Sequence, residues 1–73
     1  MGRVAVIGEH AVVSGYMLAG VLVLPAEGDD AVRGAWSSLP DDVQVVILTD
    51  QAARSLGDVR IAELLPFTVV MPS

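Results

Sequence analysis

Val4-Ala5-Val6-Ile7-Gly8-Glu9, followed by Gly15-Tyr16-Met17-Leu18-Ala19-Gly20, is the stretch whose reading decides the fold. A short apolar run that stops at a glycine and an acid, and then gives way to a small-residue-rich turn, is how a buried parallel strand opens into a crossover helix. In open α/β sheets that corner is where ligands bind. Its residues therefore carry the first functional question.

Working outward, three more runs of the same kind appear at Val21–Leu24, Val43–Leu48 and Phe67–Met71. All four are rich in valine with little polar alternation, the pattern of strands covered on both faces. The connectors between them run to about 12 to 18 residues, long enough for helices and too long for hairpins. Glu9 to Gly20 predicts a short helix around Val12–Leu18. Gly28-Asp29-Asp30 opens the next, with Asp29 as the cap and Asp30 at the positive end of the helix. Its apolar stripe is Ala31, Val32, Ala35, Trp36 and Leu39, with Trp36 as core anchor and Pro40 as stop. Thr49-Asp50 caps a third helix through Ala52, Ala53 and Leu56 to Gly57. Asp58 to Leu65 predicts another turn or two of helix before Pro66.

The expected architecture is thus β-α-β-α-β-α-β in one α/β domain spanning residues 1–73. Right-handed crossovers place helices on both faces of a four-stranded parallel sheet. The expected strand order is 2-1-3-4, a Rossmann-like or receiver-like topology with its switch point between strands 1 and 3.

Composition narrows the function classes. A chain of 73 residues is near the lower end of what folds without a staple. It has no cysteine, which removes disulfides and thiolate metal sites, and its one histidine, His10, excludes an imidazole cluster. Nine acids face four arginines and there is no lysine, for a net charge of −5. That balance argues against nucleic acid and against anionic membrane surfaces. No apolar run approaches the ~20 residues that span a bilayer, and no secretory signal is evident. Val6 stands where a myristoylation motif needs serine or threonine. A cytoplasmic location is expected. Hydrophobic residues make up 53% of the chain and mean hydropathy is +0.64, which suits a buried sheet or a surface covered by a partner.

At the expected switch point, Gly8, Glu9 and His10 face Thr49 and Asp50. A phosphate cradle would need closely spaced glycines or a P-loop lysine, and neither is present. A receiver-like phosphoacceptor domain is an alternative, with Asp50 as acceptor and Glu9 beside it at a magnesium site. It lacks the lysine that would pair phosphoryl oxygens, and Asp50 serves equally as a helix cap. Glu9 with His10 could do acid–base work, but adjacent residues point apart and no nucleophile is near. Met17 reads as packing or interface. No cofactor is expected from these residues.

The opening pattern nevertheless resembles the start of the F subunit of the archaeal/vacuolar-type (V/A-type) rotary ATPases. Gly8, Gly15, Leu18, Ala19 and Gly20 stand as in that family, while Tyr16 replaces the usual phenylalanine. Val45-Val46-Ile47-Leu48-Thr49-Asp50 is similar to the family's I-I-L-I-T-E run. Leu65-Pro66-Phe67-Thr68-Val69-Val70-Met71-Pro72-Ser73 is similar to its close, so that Pro72 and Ser73 complete the match. The resemblance implies a non-catalytic central-stalk protein that packs on the coiled-coil D subunit within the catalytic A/B ring. It also implies a role in coupling ATP hydrolysis or synthesis to ion transport. Tyr16, Met17 and Val23 are the expected partner-facing residues, and Gly15 and Gly20 are expected to allow close helix–sheet approach. Two departures stand out. The loop His10-Ala11-Val12-Val13-Ser14 is more apolar than the family's, and the family's C-terminal helical tail is expected to be absent.

Overall fold

The four valine-rich runs become the strands of one parallel sheet. A computed structural model describes residues 2–16, 21–57 and 67–71, with the Tyr16 side chain outside the description. The strands are β1 (Arg3–Gly8), β2 (Val21–Pro25), β3 (Val43–Leu48) and β4 (Phe67–Val70). They pair in the order β2-β1-β3-β4, all parallel, which is the expected topology. The helices are α1 (His10–Val13), α2 (Asp29–Ser37) and α3 (Asp50–Leu56), with a 3-10 turn at Ser14–Tyr16.

Register assigns the side chains to faces. Ala5 pairs with Leu22 and Val46, and Ile7 with Leu24 and Leu48, so these six share one side of the sheet. On that side they form a core with Val32 of α2 and Ala52, Ala53 and Leu56 of α3. The seam between α2 and α3 is tied by Ser55, whose hydroxyl donates to Asp29 Oδ1 at 2.7 Å, and by Arg33 Nε donating to the Ser55 carbonyl at 3.3 Å. The other side carries Val4 and Val6 of β1, Val21 and Val23 of β2, Val45 and Ile47 of β3, and Phe67 and Val69 of β4. The helix α1 and the 3-10 turn adjoin β1 and β2, and Val6 and Val13 are both fully buried.

Three local expectations need correction. The first helix begins at His10 rather than Val12, because the Glu9 carbonyl already accepts from Val12 N at 2.9 Å and Val13 N at 3.0 Å. Its β-branched pair and Gly15 sustain only four α-helical residues before the chain tightens to 3-10 geometry. The cap of α2 is Gly28, not Asp29. Gly28 sits at φ 86°, a conformation that side chains disfavour, and Asp29 is freed to take the bond from Ser55. Ala31 is exposed, leaving the stripe to Val32, Ala35, Trp36 and Leu39. Thr49 caps α3 as expected, accepting from Ala52 N at 3.2 Å, and Asp50 is the first helical residue rather than part of the cap. The helix expected within Asp58–Leu65 lies outside the described residues.

At the amino ends of the strands, β1 and β3 slip by one residue: Arg3 pairs with Val43, but Val4 pairs with Val45, leaving Gln44 as a bulge. Beside it Arg3 forks onto Asp42, Nε to Oδ2 at 2.7 Å and Nη2 to Oδ1 at 3.0 Å. The hydrogen bond from Arg3 holds the Asp42 carboxyl below the ordinary aspartate value. A carboxyl that is more acidic when folded stabilises above its unfolded pKa, and that contribution is lost as pH falls through the folded value. The window lies below about pH 4. The pair is solvent-exposed, so its contribution is small. Asp42→Asn is expected to lower the thermal midpoint slightly at pH 7. Its difference from wild type should shrink as pH falls below the ordinary aspartate range, as thermal unfolding at pH 7 and under acid conditions would read.

Candidate functional site

The carboxyl ends of β1 and β3 meet where the strand order reverses, and the crevice there is the position that open α/β sheets use for ligands. Gly8 ends β1 and is buried, Glu9 follows it half-buried, and Thr49 leaves β3 at only 3% exposure. The Thr49 backbone N–H donates to the Ile7 carbonyl at 3.1 Å, which carries the β1–β3 ladder one residue beyond the strands. Its hydroxyl then does two things at once. It accepts from Ala52 N, closing the first turn of α3, and it donates to Glu9 Oε1 at 2.5 Å.

Gly8 makes this junction possible. A Cβ at Gly8 would fall inside the Thr49 side chain, 2.8 Å from its Cβ and closer to the atoms beyond. Only a hydrogen at that position lets Thr49 lie against β1 while reaching both Glu9 and Ala52. The requirement is for space, since Gly8 is not among the positive-φ glycines.

Asp50, the alternative phosphoacceptor, faces the same crevice with its carboxylate paired to Arg54 Nη2 at 2.8 Å, one turn along α3. Glu9, Val12, Thr49, Asp50, Gln51, Arg54 and Met71 line an open depression of about 340 Å³. The structure therefore does bring Glu9 and Asp50 to one rim. Each is engaged by a neighbour from its own chain, and the sequence holds no lysine that would face a phosphoryl group. Among the described residues no group of three or more His, Cys, Asp or Glu gathers in the geometry of a metal site. His10 is exposed, and it is its backbone N–H, not its ring, that makes a contact, donating to Glu27 Oε2 at 3.3 Å. Acid–base pairing of Glu9 with His10 finds no support in that arrangement.

Sequence reading missed Glu27, whose carboxylate serves the first turn of α1 from the loop after β2. It also missed the second bond of Thr49. Neither carries a local signal, because the partners lie 17 and 40 residues away.

Of the other singled-out residues, Val23 is half-buried on the sheet face that carries Val6. Gly15 lies in the 3-10 turn, and a Cβ there would meet nothing within 4 Å. Among the described residues, no close approach to Gly15 is seen. Met17, Leu18, Ala19, Gly20, Pro72 and Ser73 lie outside the described residues, as does the Tyr16 side chain.

Fold and site together define a doubly wound parallel α/β domain whose switch-point carboxylates are held by its own side chains. A family model described as ATP synthase (F/14-kDa) subunit matches residues 4–73, and the chain belongs to that family, the F subunits of V/A-type rotary ATPases. Comparison with curated proteins found no match, and comparison with solved structures found none either.

The junction makes paired predictions. Gly8→Ala overpacks Thr49 and is expected to cost about 1–3 kcal/mol in chemical denaturation. Thr49→Ala removes the cap and the Glu9 bond for roughly 1–2 kcal/mol, and the double variant should cost less than the sum because the clash is relieved. Gly15→Ala should be neutral or stabilising by up to about 1 kcal/mol, since it only restricts the unfolded chain.

Proposed function

We propose that this chain is a non-catalytic central-stalk component of a V/A-type ATPase. It packs on the long coiled-coil D subunit, the rotor element that turns inside the catalytic A/B ring. In that position it helps couple ATP hydrolysis or synthesis to proton or sodium transport through the membrane rotor. The observation that carries this reading is the family match across residues 4–73, nearly the whole chain. The state of the switch point agrees with it. Glu9 and Thr49 are committed to contacts that hold the end of β1 to α3, and Asp50 is paired with Arg54 within α3.

Within the assembly the chain sits on the cytoplasmic side, held to the membrane through its partners. No helix among the described residues is long and apolar enough to cross a bilayer. The excess of carboxylates keeps the domain away from anionic lipid and nucleic acid and suits a basic protein partner.

Co-expression with the coiled-coil rotor protein of the same ATPase tests the assignment. A stable complex that survives size-exclusion chromatography is the expected result. Two well-folded partners that elute separately at micromolar concentration would sink it. ATPase activity should stay with the A/B ring when this chain is omitted, while its coupling to ion transport declines.

A further inference from the structure

We draw no further inference here: the strongest candidate, the open depression at the carboxyl ends of β1 and β3 rimmed by Glu9 and Asp50, rests on two carboxylates already engaged by Thr49 and Arg54, with no second observation that points to a ligand.

Discussion

The contact on which the rest depends is the one between Gly8 and Thr49. β1 and β3 are the two inner strands, paired to each other, and α3 follows directly from β3. Where β1 ends, the absence of a Cβ lets the Thr49 side chain lie against the chain and bond both Glu9 and the first turn of α3. One hydroxyl thereby joins the end of one strand to the start of a helix that leaves another. The core residues Ala52, Ala53 and Leu56 are carried on that helix, so its starting point sets how they meet Ile7 and Leu48. A buried hydroxyl with both its donor and acceptor capacity used is a stable arrangement, whereas the same group left half-satisfied would cost about 1–3 kcal/mol.

The same contact engages a carboxylate at the position where open α/β sheets bind ligands. Carboxylates at a switch point are useful when free to face a substrate or cation. Here Glu9 accepts from Thr49, and Asp50 pairs with Arg54 along α3. A domain organised in this way offers surfaces. Its charge is strongly one-signed, and among the described residues Phe67 and Val69 of β4 are exposed on the face opposite α2 and α3.

Much of this was legible along the chain. Runs such as Val43–Leu48, apolar on both parities, indicated a parallel sheet, and connector lengths required crossovers rather than hairpins. Thr49 was recognisable as a cap because capping is local, involving residues three apart. Where sequence reading erred, nonlocal partners decided the outcome. Asp29 looked like a cap and instead bonds Ser55, 26 residues on, because Gly28 can adopt a positive φ and take the capping position. At the start of helix α1 the first amide is served by Glu27 from a distant loop.

By itself the sequence determined the fold class, the strand order, the absence of a cysteine or histidine site, the acidic character and the family. These follow from composition, from hydrophobic period and from the order of motifs along the chain, none of which requires knowing which residues touch. Tertiary structure alone decided that Gly8 is needed for space rather than for a ligand, that Glu9 is bound to Thr49, and that Phe67 and Val69 face outward. Those outcomes depend on strand register and on which helices cover which face, and register brings together residues 40 positions apart that no local pattern relates.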